Sequence, residues 1–216
     1  YHQTDPEYHK AGIMDSIEKA KAHLPRLDAI GGSSAGVFVD NRPRVASLFR
    51  GISDSDFTEK ISTMFIDFGK ELGVPLSIIN DGEVTALAAS MSLDENAVLG
   101  IAMGTSEATG YVDTQGRVTS WLNELAFAPV DYSPNAPADE WSGDVGCGVQ
   151  YFSQQAVGRL IPKTSLSVDS NLGLPEKLER VQEFMAEGNG EAASIYRTIG
   201  TYLGYGVAHY ASFYFL

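Results

Sequence analysis

The chain has 216 residues, 44% hydrophobic and 20% charged, a balance that allows one large domain or two small ones with a substantial core and argues against disorder. Its 28 acidic against 15 basic residues leave a net charge of −13, which repels phosphate-rich surfaces and disfavours nucleic acid and anionic membranes as partners. The lone cysteine, Cys147, excludes an internal disulfide and fits a reducing cytoplasm, while the opening Tyr1-His2-Gln3-Thr4-Asp5-Pro6 shows no signal peptide and no initiator Met, as expected of a trimmed or incomplete chain.

Asp5-Pro6 suits a helix N-cap followed by a first-turn proline, and Ile13, Ile17, Ala20 and Leu24 recur at helical spacing up to Pro25. An opening helix packed on a sheet is expected. Residues 27–30 and 37–39 read as strands on either side of a Gly31-Gly32-Ser33-Ser34-Ala35-Gly36 loop. Asp56 with Glu59 three residues later has the pattern of a capping box, and Ile61, Met64, Phe65, Phe68 and Leu72 make one apolar face that Gly73 ends. Pro75 and the apolar run 76–79 then read as a short buried strand, and the alanine-rich run after Asp81 as a helix. Asn80-Asp81 would thus stand at a strand's carboxyl end, where open α/β sheets hold their chemistry. The triplet Asn80-Asp81-Gly82 is equally ordinary turn and N-cap chemistry, because short polar side chains bond nearby backbone groups.

Polar Asp94-Glu95-Asn96 is expected to connect two lobes, 1–96 and 97–216. The apolar run 98–103 enters a small-residue turn over 104–110 and leaves on a second strand at Tyr111-Val112-Asp113. Such a turn can present backbone N–H groups to an anion, and a carboxylate with an anion cradle makes the two halves of a phosphoryl-transfer site. A further hairpin turns at 114–117. From 128 to 148 the chain holds Pro129, Pro134, Pro137, Asp131, Asp139, Glu140, Asp144 and Trp141, a long irregular loop whose acids either face solvent or hold a hard cation. Leu174, Pro175, Leu178, Val181 and Met185 mark an amphipathic helix closed by Gly188-Asn189-Gly190. The uncharged tail 199–216 is short and too polar for a membrane span, so a buried helix packed closely at Gly200, Gly204 and Gly206 is expected. The four histidines show no metal-ligand spacing.

Asn80-Asp81, Gly104-Thr105 and Asn123-Glu124-Leu125-Ala126-Phe127 succeed one another in the order found in the ROK-type sugar kinases and their repressor relatives, within the actin-like ATPase superfamily. The chain resembles that family over most of its length. There, a strand ends in Asn-Asp, whose Asp is the catalytic base; a Gly-Thr-Gly-x-Gly-Gly-Gly hairpin binds ATP phosphates; and Gly-Glu-x-Gly-His follows. Gly146-Cys147 aligns with the Gly-Cys of the family's cysteine-rich loop, and Tyr151-Phe152-Ser153 with the helix after it. The resemblance implies an α/β, ribonuclease H-like layered fold in two lobes, and ATP-dependent phosphorylation of a sugar hydroxyl with ATP and Mg2+ as cofactors. Asp81 would be the general base, Asn80 and Glu124 would hydrogen-bond the sugar, and Gly36, in the loop Ser34-Ala35-Gly36, would border it. Gly104, Thr105 and Ser106 would approach phosphate. A sugar and ATP are then the partners, and a homodimer is compatible.

The chain also departs from the family. Ser106, Ala108 and Thr109 replace hairpin glycines, and Val149 stands where the family has a sugar-binding Glu, with Gln150 beside it as a substitute. Phe127 replaces the zinc-binding His and Cys147 has no second cysteine, so the family's site of one His and three Cys cannot be assembled. Asp28-Ala29-Ile30-Gly31-Gly32-Ser33 does not match the first phosphate motif, Asp-x-Gly-Gly-Thr, and the chain stops before the adenosine motif; both are expected to be missing from it. Three readings follow: a zinc-less ROK-like sugar kinase, a non-catalytic ROK-like sugar sensor or effector domain, and an actin-like subdomain that acts only in assembly.

Overall fold

The computed structural model describes residues 3–119 and 121–214. Asp5 accepts the Glu7 N–H at 3.0 Å ahead of Pro6, and helix α1 (Pro6–Lys21) starts there as its cap predicts. It ends before Leu24, which is exposed and which, as the residue before Pro25, is disfavoured in the helical region. Ile13, Met14 and Ile17 carry the packing instead.

The Gly-Ser run is strand rather than loop. β1 (Ile30–Ser34) pairs in parallel with β4 (Leu76–Asn80), in register from Ile30↔Leu76 to Ser34↔Asn80, so only Ile30 of the strand expected over 27–30 is in the sheet. A Cβ at Gly32 would come within 3.1 Å of Ile78 Cδ1, so the missing side chain gives the neighbouring strand its room. β2 (Gly36–Val39) and β3 (Arg42–Ala46) form an antiparallel hairpin turned by Asp40 and Asn41 at φ 50° and 61°, the left-handed pair of a tight connection. Asn41 then reaches β4: its Nδ2 donates to Leu76 O and its Oδ1 accepts the Ile78 N–H, both at 2.9 Å, as a neighbouring strand would.

The helix expected from Asp56 begins earlier and is not uniform. Ser53 Oγ caps it by accepting the Asp56 N–H at 3.3 Å, α2 (Asp54–Asp56) passes into a π-helical turn (Phe57–Ile61), and the Ser62 N–H reaches Phe57 O at 2.9 Å. α3 (Met64–Leu72) carries most of the predicted apolar face and stops at Gly73, whose φ of 68° suits glycine. Ile61, Met64, Phe65, Phe68 and Ile78 are buried together with Phe49 in a first compact unit, Tyr1–Val84. That unit retains an apolar cavity of about 250 Å³ lined by Ile13, Ile17, Leu48, Phe65, Leu76 and Ile78.

The division falls inside helix α4 (Asp81–Leu93), and the second compact unit is Thr85–Leu216, with Asp94-Glu95-Asn96 within it. β5 (Val98–Met103) and β6 (Glu107–Val112) pair antiparallel as far as Met103↔Glu107. The expected turn over 104–110 thus contracts to Gly104-Thr105-Ser106, since Ala108, Thr109 and Gly110 are already paired. Gly100 lets α4 approach: a Cβ there would lie 2.8 Å from the Ala86 backbone. The turn at 114–117 forms as expected, with Gly116 at φ 75° and Arg117 paired to Asp113 at 2.9 Å.

Helices α5 (Gln154–Leu160), α6 (Leu174–Ala186) and α7 (Gly190–Ala211) pack around Val157, Val181 and Ile195. On α6, Phe184 packs against this core and Met185 is exposed, a shift of one position in the expected face. Asn189 accepts the Glu191 and Ala192 N–H groups, so the Gly188-Asn189-Gly190 stop is also the start of α7. As far as Ala211 the tail is a half-buried helix, and its last two residues lie outside the described ones: a Cβ at Gly206 would meet the Phe152 ring at 2.5 Å, whereas Gly200 and Gly204 are exposed with open space. Among the described residues no helix is long and apolar enough to cross a membrane.

Candidate functional site

Asn80 closes β4 and Asp81 opens α4. Asn80 Nδ2 donates to Gly36 O at 2.7 Å, its Oδ1 accepts the Gly82 N–H at 2.7 Å, and its own N–H donates to Glu83 Oε2 at 3.3 Å. One amide thus ties the chain after β1 to the head of α4, so the N-cap chemistry is present as well. Gly36 has φ 136°, and a Cβ there would run into Val45 O and Ala46. Asp81 is exposed at the N-terminus of a 13-residue helix, where partial positive charge favours an anionic group. Asn80, Asp81 and Gly36 are therefore brought together.

In the second unit, the Gly104 N–H donates to Ser106 O and Gly104 O accepts the Gln154 N–H, both at 2.9 Å. The turn uses up the Gly104 amide, and Thr105 and Ser106, both exposed, are the residues an anion can approach. Glu124 is half-buried and precedes a 3-10 turn, Leu125–Phe127. Val149 is buried, and so is Gln150, whose Nε2 donates to Asp139 Oδ1 at 3.2 Å and to Gln155 Oε1, and whose carbonyl accepts from Arg159. The Gln150 side-chain N–H groups and main-chain carbonyl are thus engaged by neighbouring residues.

Two carboxylates have structural roles beyond those read from the sequence. Glu107, the one charged residue between Val98 and Val112, is buried where β6 begins. Tyr210 OH bridges Glu107 Oε2 at 3.4 Å and Leu125 O at 3.1 Å, while Glu107 Oε1 and Thr109 Oγ1 are buried without a hydrogen-bond partner. Burial pushes the Glu107 carboxyl up to about 7 against the opposing hydrogen bond of Tyr210, and burial with the nearby Glu107 charge pushes the Tyr210 phenol far above its ordinary range. A Cβ at Gly148 would strike both groups, so only glycine fits beside them. An acid alone in an apolar strand was the available signal.

Asp139 is the second. Its Oδ2 accepts the Trp141 and Ser142 N–H groups at 3.1 and 2.8 Å, and Gln150 Nε2 holds Oδ1. Burial works against its ionisation, yet these donors prevail and hold the carboxyl below the usual range. Asp131 likewise accepts from Tyr151 OH and from the Ser133 N–H at 2.8 Å; its carboxyl is lowered chiefly by Tyr151, whose phenol is pushed up to about 12 by burial and by Asp131. The loop over 128–148 is irregular as expected, but its acids are not uniformly solvated: two of them organise it. Bridges Pro129↔Cys147 and Ala138↔Val145 close it further. Phe127 and buried Cys147 belong to an apolar cluster with Ala126 and Val149, and the Phe127 ring lies 5.4 Å from Trp141. No group of three or more His, Cys, Asp or Glu stands together as a metal site among the described residues.

No family profile and no curated protein sequence matches the chain. Solved structures do. A ROK family transcriptional regulator, a homologue of the E. coli MLC protein, superposes with a TM-score of 0.70 at 19% identity, over 99% of this chain and 55% of its own. The ROK hexokinase from Thermus thermophilus gives 0.69 at 19% identity, over 98% of this chain and 67% of its own. A ROK family glucokinase from Streptomyces griseus, solved with glucose and AMPPNP, gives 0.66 at 18% identity, over 99% and 70%. The chain therefore has the α/β fold of the ROK proteins, and it spans little more than half of the regulator's length and about two thirds of the hexokinase's.

Proposed function

We propose that this chain is the sugar-handling part of a ROK-like protein that phosphorylates a sugar hydroxyl with ATP. The observation that carries the reading is the β4–α4 junction: an exposed carboxylate at the carboxyl end of a parallel strand, beside Asn80 hydrogen-bonded to Gly36 O. Asp81 accepts the hydroxyl proton as the sugar oxygen forms its bond to phosphorus, which raises the oxygen's nucleophilicity at the moment it is needed. Asn80 and Glu124 orient hydroxyls, and the chain at Gly36 borders the ring. ATP, when bound, would supply the γ-phosphoryl group, with the bond from its γ-phosphorus to the bridging oxygen breaking and ADP leaving, and Mg2+ would neutralise phosphate charge. The exposed turn suits that group: Thr105 and Ser106 would hold its phosphate. The proposal includes the actin-like, ribonuclease H-like layering in two lobes, 1–96 and 97–216, a cytoplasmic setting, and no nucleic-acid partner for this chain.

Sugar-dependent ADP release, screened over hexoses, amino sugars and polyols in protein that includes any flanking sequence, tests it. Release that requires a particular sugar and is lost in Asp81→Asn is expected; release indifferent to Asp81→Asn defeats the assignment. A sensor without turnover is favoured by one observation, the Gly104 amide closing its own turn next to Ser106. Under that reading a sugar binds, no ADP appears, and Asp81→Asn and Glu124→Gln register only as changes in affinity.

A further inference from the structure

Trp121 is 46% exposed, yet the segment that carries it is held firmly. Its indole stacks on Tyr111 with ring centres 5.6 Å apart and planes 11° from parallel, and lies 6.2 Å from Tyr214 at 28°. Tyr111 is fully buried beneath it. Tyr214 OH donates to Asn123 Oδ1 at 3.0 Å, and Asn123 Nδ2 donates back to Trp121 O at 3.2 Å, so the backbone between the indole and Glu124 is fixed by side-chain hydrogen bonds. A broad apolar surface kept in water at a cost, and held in one orientation three residues from a carboxylate, has the form of a ligand platform.

We propose that Trp121 stacks against the C–H face of a pyranose ring while Glu124 accepts a hydroxyl at its edge. This rests on the sugar-handling reading above and adds a positioning residue to it: the indole accepts a ring with a flat C–H face, which an acyclic polyol does not offer. A nucleobase would also stack on tryptophan. It is disfavoured at this position because the attached phosphates would meet the Glu124 carboxylate three residues away.

The chain has two tryptophans, so Trp141→Phe leaves Trp121 as the sole reporter. Its emission is followed while glucose, galactose, N-acetylglucosamine, sorbitol and ATP are titrated separately into the 216-residue chain, with calorimetry alongside. At least one pyranose is expected to change the emission saturably, whereas sorbitol and ATP leave it unchanged. Trp121→Ala should then weaken that sugar about tenfold or more and Trp121→Phe less than about threefold, because a smaller ring keeps part of the stacking face. A Trp121→Ala protein that keeps its sugar affinity while Glu124→Gln loses it overturns the platform and leaves the sugar reading standing. Emission that responds to ATP alone or to sorbitol also overturns it. No binding of any pyranose by calorimetry, in this chain and in protein that includes any flanking sequence, removes the platform and the sugar reading together.

Discussion

The β4–α4 junction and the loop over 128–148 position their carboxylates in opposite ways. At the junction regular structure does the holding: a parallel strand ends, a helix begins, and the Asn80 amide clamps the two to Gly36, leaving Asp81 exposed. In the loop there is little regular structure, and the carboxylate itself does the holding, with Asp139 gathering two backbone N–H groups and two side-chain amides. A buried acid surrounded by donors is a structural centre, whereas an exposed acid on a rigid element end is suited to chemistry. Glu107 is a third case, buried with fewer donors than its two oxygens require, and its carboxyl is accordingly shifted upward rather than downward.

The largest effect expected concerns the loop. Asp139→Ala should cost about 2 to 3 kcal/mol, because it removes the acceptor shared by the Trp141 and Ser142 N–H groups and by the buried Gln150 amide. A urea-midpoint shift worth less than about 1 kcal/mol would show that the loop is organised by something else.

Asp81→Asn should do the reverse, leaving stability within about 0.5 kcal/mol and lowering kcat at least about a hundredfold with little change in sugar affinity. A variant with near wild-type kcat would end its assignment as base. Glu124→Gln should instead weaken sugar binding by about 1 to 3 kcal/mol with kcat affected less, which titration calorimetry and steady-state kinetics separate.

Glu107 makes the comparison sharper through pH. Its carboxyl is near 4.3 in an unfolded chain and about 7 when folded, so between those values the folded state binds more protons. The contribution of this group to stability is therefore complete below about pH 4 and is lost as pH rises through 7. Glu107→Gln, neutral at every pH, should be more stable than wild type by about 2 kcal/mol at about pH 8 and no more stable at about pH 4.5, as read from denaturation midpoints. Asp131 and Asp139 act with the opposite sign: their lowered carboxyls stabilise above the unfolded value, and that stability goes as pH falls through the folded one.

The smallest effects lie on α7, beneath Glu107. Gly206→Ala should cost about 1 to 2 kcal/mol where the Phe152 ring must move, and Gly204→Ala, in open space on the same helix, should stabilise by up to about 1 kcal/mol. Equal thermal shifts for the two would mean that Gly206 is not a packing contact.

Elements defined by neighbouring residues were legible in the sequence. The apolar run over 76–79, the alanine-rich helix after Asp81, the stop at Gly73 and the turn at Gly116 each depend on local side-chain preference, so those residues alone are enough to place Asn80-Asp81 at a strand end. β1 could not be read this way, because glycine and serine have loop preferences and become a strand only when β4 lies alongside. The same holds for the acids. The sequence shows that Asp81, Glu107 and Asp139 are carboxylates, but their surroundings come from packing: the Tyr210 hydroxyl reaches Glu107 from 103 residues away and the Gln150 amide reaches Asp139 from 11, although the two backbone donors of Asp139 are local. Burial and hydrogen bonding set a carboxyl's charge and its task, and both are properties of the packed molecule rather than of the residue.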